Sequence, residues 1–212
     1  MEWNYYDYKF ESGQGIFFTS DPHLGHKNII KYCQRPFIDT NEMDEKIVEN
    51  WNNTVNENDI VFILGDMGIV RPDSKSRFED LINKIKRLNG RKILVPGNHD
   101  RHALMSEKFR NLFEDIRYQL FIKVEDKEIY LNHFPFTCFD GSYKGESATW
   151  QLFGHVHSFP GSLGLDIERL HDLFPTQYDV GMDNNNYTPV SFEQVKEIIN
   201  EQQQSLNLIR KC

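Results

Sequence analysis

Apolar residues follow two rhythms along this chain. Short, mostly apolar runs at Ile16-Phe17-Phe18-Thr19-Ser20, Asp59-Ile60-Val61-Phe62-Ile63-Leu64 and Arg91-Lys92-Ile93-Leu94-Val95 have the length and residue content of buried strands. Between them the apolar positions recur at helical spacing. Met43, Ile47, Val48, Trp51 and Val55 predict a helix from Asn41 to about Val55, with Asn41 or Thr40 as its cap. Phe78, Leu81, Ile82, Ile85 and Leu88 predict a second from about Ser74 to Leu88, stopped by Asn89-Gly90. Strand, helix, strand, helix, strand is a βαβαβ opening, which implies parallel strands joined by right-handed crossovers.

The second half changes character. Tyr118 to Val124 and Lys127 to Leu131 read as a hairpin turning at Glu125-Asp126, and Trp150 to Phe153 and Tyr178 to Met182 as further short strands. They suggest a second, mostly antiparallel sheet packed on the first. A final helix starts at Ser191, where Ser-Phe-Glu-Gln forms a capping box with Gln194, and Phe192, Val195, Ile198 and Ile199 give it an apolar face. Residues 158–177 contain Gly and Pro, with a helical turn read at Asp166–Leu173. They fit an excursion over a site mouth or a subunit contact, the latter in a homo-oligomer.

Polar chemistry collects where the apolar runs stop. Asp21-Pro22-His23, Gly65-Asp66, Gly97-Asn98-His99-Asp100, Asn132-His133 and Gly154-His155-Val156-His157 each follow a predicted strand. In a parallel sheet, the loops at the carboxyl ends of strands are where ligands bind. Five of the 8 histidines lie in these segments, whereas structural or solvated histidines would scatter. His155 and His157 are two apart and share a side of an extended segment. Gly-Asn-His-Asp alone reads equally well as a turn; four companion segments tip it toward a site. From these, two carboxylates, an amide oxygen and four or five imidazoles serve as candidate ligands. Two neighbouring divalent ions that share one carboxylate need about that many ligands. Mixed oxygen and nitrogen donors suit Mn, Fe, Ni or Zn better than Ca or Mg, and paired ions promote in-line displacement at phosphorus.

The other histidines read differently. His26 lies near His23 and is placed against a substrate phosphate; His102 and His171 read as surface residues. Phe134, Phe136 and Phe139 could stack on a base, although core packing is the commoner use of any one of them. Asp183-Asn184-Asn185-Asn186 reads as a turn from which Asp183 could support a ligand.

Composition narrows the partners. The 212 residues suffice for one domain, 1–212, with 39% hydrophobic and 26% charged residues. A formal net charge of −8 argues against duplex nucleic acid, which needs a basic face. Cys33, Cys138 and Cys212 are widely spaced, make no disulfide framework and suit a reducing cytoplasm. The start, Met1 to Tyr6, has no signal-peptide pattern, and no apolar run is long enough to span a membrane.

The ordered set DxH, GD, GNHD, H and GHxH resembles the calcineurin-like metallophosphoesterase superfamily from Asp21 to about Val190. The flanking Phe-Thr-Ser-Asp-Pro-His-Leu-Gly-His, Asn50-Trp51-Asn52 and Asp179-Val180-Gly181-Met182-Asp183 resemble its small bacterial and phage members. The resemblance implies an α/β fold, a four-layer αββα sandwich of two mixed sheets flanked by helices. It implies that Asp21, His23 and His157 hold one metal, that Asn98, His133 and His155 hold the other, and that Asp66 bridges them. His99 would be the general acid, with Asp100 as partner to its imidazole; His26, Asn98 and His99 would touch substrate. The family's second motif is commonly GDxxD, but here it reads Gly65-Asp66-Met67-Gly68-Ile69, so the second Asp is missing.

The resulting expectation is a phosphomonoesterase or phosphodiesterase using metal-activated hydroxide, acting on a nucleotide or another small phosphorylated metabolite. Two alternatives stand beside it: a nuclease for single strands or strand ends, and a non-catalytic metal-bound scaffold. A retained His99 argues against the scaffold, which needs no acid.

Overall fold

The computed structural model describes Tyr8, Phe10 and residues 13–70, 72–144, 148–159, 162 and 167–209. The segment Met1–Tyr6, Asp166 at the head of the expected turn, and Cys212 lie outside the described residues.

The opening half builds one sheet. Strands β1 (Ile16–Thr19), β2 (Ile60–Ile63), β3 (Arg91–Leu94) and β4 (Asp115–Ile116) pair in parallel, in the order β4-β3-β2-β1. Helices α1 (Lys27–Tyr32), α2 (Thr40–Thr54), α3 (Lys75–Lys86) and α4 (Glu107–Arg110) come from the connections. The runs are apolar throughout because both faces are buried. Phe17, Val61, Ile63 and Leu94 join the helix-side core with Ile47, Trp51, Phe78 and Ile82, while Phe18, Ile60, Phe62, Leu64 and Ile93 face the second sheet. Asp39, rather than Asn41 or Thr40, caps α2: its carboxylate accepts from the Asn41 and Glu42 amides, both at 2.9 Å, so the helix begins at Thr40.

Strands β5 (Leu120–Val124), β6 (Lys127–Leu131), β7 (Trp150–Phe153) and β8 (Gln177–Asp179) form a second sheet in that order. Only the β5–β6 hairpin is antiparallel; β6–β7 and β7–β8 are parallel, so the sheet is mixed rather than mostly antiparallel. The long connections 132–149 and 154–176 supply the crossovers that parallel neighbours need. Strand β9 (Val190–Ser191) then pairs antiparallel with β1, making the first sheet mixed too. Helix α5 (Phe192–Ile209) starts with the expected capping box. The Gln194 amide donates to Ser191 Oγ at 3.2 Å and the Ser191 amide to Gln194 Oε1 at 2.8 Å. It sends Phe192, Val195 and Ile199 into the inter-sheet core.

The result is an α/β sandwich of two mixed sheets with helices. Over the outer face of the second sheet, Phe136 and Phe139 pack on Tyr130, and Phe139 on Phe174. A 3-10 helix at Ile167–Asp172 lies where a helical turn was expected. No helix among the described residues is long and apolar enough to cross a membrane.

Candidate metal centre

All five polar segments converge at the carboxyl ends of the central strands. The ladder of β1 and β2 continues past both: the Asp21 amide donates to the Gly65 carbonyl at 3.0 Å, His23 to Asp66 at 3.1 Å and Leu24 to Met67 at 2.9 Å. Close approach demands glycine at two points. A Cβ on Gly97 would strike the Asp66 carboxylate, and one on Gly154 would strike Ser20 Oγ and the Asp21 carboxylate. The backbone is strained where the chemistry sits. Five of the nine described non-glycine residues with positive φ are Asp21, His23, Asp66, His155 and His157. Strain of this kind persists only when the surroundings over-determine it.

Of three groups of ligand-type atoms, Cys33, His157 and Asp183 make one that shares His157, and the other two gather the expected ligands. Asp21, His23 and His157 form one, and Asp66, His133 and His155 the other, with the atoms of each within 4.8 Å of one another. Asp66 Oδ2 lies 3.8 Å from His23 Nε2 in the first group and 3.6 Å from His133 Nε2 in its own. Each carboxylate has one oxygen tied to backbone: Asp21 Oδ2 accepts from the His155 amide and Asp66 Oδ1 from the His99 amide, both at 2.8 Å. That leaves Asp21 Oδ1, which is buried with no hydrogen-bond partner, and Asp66 Oδ2 turned toward the histidines.

The imidazoles are oriented in the same sense. His133 Nδ1 donates to the Leu64 carbonyl at 2.6 Å, so Nε2 carries the lone pair. That nitrogen faces Asn98 Oδ1 at 3.0 Å, and two acceptors facing each other are relieved by a shared cation. His23 Nε2 faces His157 Nε2 at 3.3 Å. His157 Nδ1 is hydrogen-bonded to Asp183 Oδ2 at 2.7 Å. Burial disfavours the His157 cation, but Asp183, Asp21 and Cys33 outweigh it and push its pKa up to about 11. A proton on His157 thus stands where a metal would supply charge. Burial holds His23 neutral, well below the ordinary histidine range, and pushes the Asp66 carboxyl up to about 7, with the Asp21 and Asp100 charges assisting. A buried, partner-poor set of oxygen and nitrogen atoms fits divalent transition metals.

With the second Asp of the GDxxD pattern missing, a carboxylate from far along the chain supports one of the ligand-type histidines. Asp183 holds His157, and buried Arg35 grips Asp183 through Nε and Nη2, both at 2.8 Å. The same guanidinium donates to the Asp21 and Pro22 carbonyls at 2.8 and 2.9 Å. Arg35 lies in no recognisable motif and was missed. The bridge between Ser20 and Gly181 brings the Asp183 turn alongside Asp21. Asp44 also went unseen: it anchors the Gly25 amide and is paired with Lys84 at 2.7 Å.

Asp100 requires a correction. Its buried carboxylate does not partner the His99 imidazole. It accepts from the amides of Asp66 at 2.8 Å, Met67 at 3.0 Å and Gly97 at 2.9 Å, pinning two metal-side loops together. His99 stands at the mouth, its Nε2 3.9 Å from Asp66 Oδ2, and its ring lies 5.4 Å from His23 and 6.5 Å from His26. His26 thus reaches the rim of the same cleft, a hollow of about 530 Å³ that Tyr32, Ile69 and Phe159 also line. Phe134 lies beside the centre, with ring centroids 4.8 Å from His133 and 4.7 Å from His155.

A family description of calcineurin-like phosphoesterases matches residues 15–201, across both sheets and every segment above. The chain belongs to the calcineurin-like phosphoesterase family. Members of this family are metal-dependent phosphoester hydrolases. An uncharacterized protein of Methanocaldococcus jannaschii, MJ1445, is 33% identical over 184 residues, 87% of this chain and 90% of that one. The Gene 66 protein of Mycobacterium phage L5 is 30% identical over 189 residues, 79% of this chain and 86% of that one. In fold the chain is similar to AQ665 of Aquifex aeolicus, a protein of unknown function, with a TM-score of 0.65 and 23% identity over 88% of this chain and all of that one.

Proposed function

We propose that this phosphoesterase uses two divalent transition metals to hydrolyse a phosphomonoester or phosphodiester of a nucleotide or small phosphorylated metabolite. The observation that carries this reading is the position of Asp66 Oδ2, within 3.8 Å of histidines from both ligand groups. Asp21, His23 and His157 would hold one ion, Asn98, His133 and His155 the other, and Asp66 both. When bound, such a pair supplies a water nucleophile active at neutral pH and neutralises charge on the phosphoryl oxygens.

The residues do the rest. His99, half-exposed at the mouth, donates a proton to the leaving oxygen, and His26 lines the phosphate side of the cleft. Asp100 keeps the Asp66 and His99 loops in register through its three amide bonds. Asp183 fixes the His157 ring, a support whose loss typically weakens metal binding roughly 10–100-fold.

Elemental analysis and a substrate panel test the reading. Wild type supplied with Mn should take up about two ions per chain and hydrolyse phosphomonoesters, diesters or cyclic nucleotides. Asp66→Asn should weaken both ions together, because a bridging carboxylate offsets their mutual repulsion. Binding of only one ion at saturation, or wild-type metal content in Asp66→Asn, would overturn it. A clear preference for short single strands within the panel would move the substrate from nucleotide to nucleic acid.

A further inference from the structure

A second cleft opens beside the metal centre, and nothing above gives it a role. Its volume is about 610 Å³, within the range of small-molecule sites. Phe134, Phe136, Val156 and Leu173 supply apolar walls, with Thr137 and Asp172 as polar groups. It adjoins the metal cleft: His155 and Val156 line both.

The wall nearest the centre is held rigidly. The Phe134 amide donates to Asn132 Oδ1 at 2.9 Å, and its carbonyl accepts from Gln151 Nε2 at 3.0 Å. The Phe136 amide donates to Gln151 Oε1 at 2.9 Å, and its carbonyl accepts from Gln177 Nε2 at 2.9 Å. Gln151 and Gln177 are buried in the strands of the second sheet and hydrogen-bonded to each other. Two buried glutamines thus brace one loop, and Gln177 also accepts from the Phe174 amide through its Oε1 at 2.8 Å. Yet the ring at its head, Phe134, remains 44% exposed against two site histidines, whereas Phe139 packs on Tyr130 and Phe174. A rigid exposed aromatic face beside a phosphate site lowers the ordering cost of binding a flat ring. No lysine or arginine lines either cleft among the described residues. Beyond the metals and the site histidines, the described walls of the two clefts offer a substrate stacking and apolar contact.

We propose that this cleft binds the planar heteroaromatic base of a nucleotide whose phosphate lies over the metal centre, with Phe134 as the stacking face. The proposal rests on the phosphoesterase reading and specifies its substrate class. Thr137 and Asp172 offer hydrogen-bond partners for ring-edge N–H groups, while the sugar spans the shared His155–Val156 wall.

The test compares ligands with and without a base on the Mn-loaded protein. Calorimetry with AMP and with ribose 5-phosphate isolates the base, since both carry the same phosphate. AMP should bind about tenfold tighter, the difference one base–aromatic stack provides. Phe134→Ala should bring AMP to the affinity of ribose 5-phosphate, with metal content and ribose 5-phosphate binding unchanged. Phe134→Trp should keep the AMP preference, which separates stacking from damage to the loop. Equal binding of the two ligands by wild type, or an equal loss of both in Phe134→Ala, would overturn the base site and leave the metal centre standing. Failure of both ligands to bind the Mn-loaded protein would overturn the base site, and the phosphoesterase reading falls with it when the monoester, diester and cyclic-nucleotide panel also shows no turnover.

Discussion

His99 and Asp100 are neighbours in sequence with opposite fates. Asp100 is sealed beneath the loop on three amides, while His99 keeps a side chain 41% exposed at the mouth. Burial lowers the His99 pKa below the ordinary histidine value and the neighbouring His133 imidazole acts in the same direction, although the Asp21 charge opposes this. As a general acid it is therefore active on the acid side, and its protonated form is depleted before pH reaches neutrality. The dependence should follow the leaving group. An alkyl ester leaves as a basic alkoxide that needs the proton; a nitrophenyl ester leaves as a phenolate that does not. His99→Ala should cost roughly 10²–10⁴ in rate on the alkyl ester and far less on the nitrophenyl one. The wild-type fall in alkyl-ester rate at high pH should vanish with it. Equal losses on both esters at full metal occupancy would mean that His99 only binds phosphate. At this scale the sequence told residue type and place but not side-chain direction. A Gly-Asn-His-Asp turn can present any of its side chains, and only the packed loop decides that His99 faces out and Asp100 in.

Element by element, what could be read was what is local. Helical spacing and apolar runs located α2, α3, α5 and the central strands within a few residues, because burial on one face or both writes itself into the pattern. The ligand segments were legible for the same reason, each following its own strand. Short α1, α4 and β4 carry too few residues for a period, and strand direction in the second sheet depends on partners that periodicity does not encode. Asn50-Trp51-Asn52 became intelligible only as packing. Trp51 Nε1 donates to the Asn89 carbonyl at 3.0 Å and Asn52 to the Arg87 carbonyl at 2.8 Å, fastening α2 to the end of α3. Arg35 and Asp183 stand 148 positions apart, beyond any local signal. Their pair ties the Asp21-Pro22 turn to the Asp183 turn, and both groups are buried. Arg35→Met removes one of the two cations that hold Asp183 and takes the guanidinium donor from two buried carbonyls. It should cost about 3–5 kcal/mol, the usual penalty for breaking a buried pair from one side. A lowered urea midpoint at unchanged slope would register that loss. An unshifted midpoint would mean that His157 alone suffices to hold Asp183.

Across the whole molecule, an acidic chain concentrates its histidines in one place, so protons and metals compete for the same atoms. In the metal-free protein His157 has a folded pKa of about 11 against an ordinary 6.5, held there by Asp183 and Asp21 against the cost of burial. A base raised in the folded state contributes stability that is complete below its unfolded pKa and is lost as pH climbs toward the folded one. Asp179, raised to about 6, has largely finished titrating by neutrality, and Asp66, raised to about 7, by about pH 8. His23, His26 and His99, all lowered, lose their contributions only as pH falls below the ordinary histidine value. His157 therefore governs the window from about pH 8 to 9, where metal-free stability should fall by about 1.4 kcal/mol per pH unit. Metal loading reverses the sign. Ions take the place of the His157 proton, and their binding tightens as proton competition fades. Urea midpoints should thus diverge with rising pH, falling for the metal-free protein and rising for the loaded one. His157→Gln should flatten the metal-free curve over this window. Parallel curves for loaded and metal-free protein, or an unchanged slope in His157→Gln, would show that the proton on His157 and the metal do not occupy the same role.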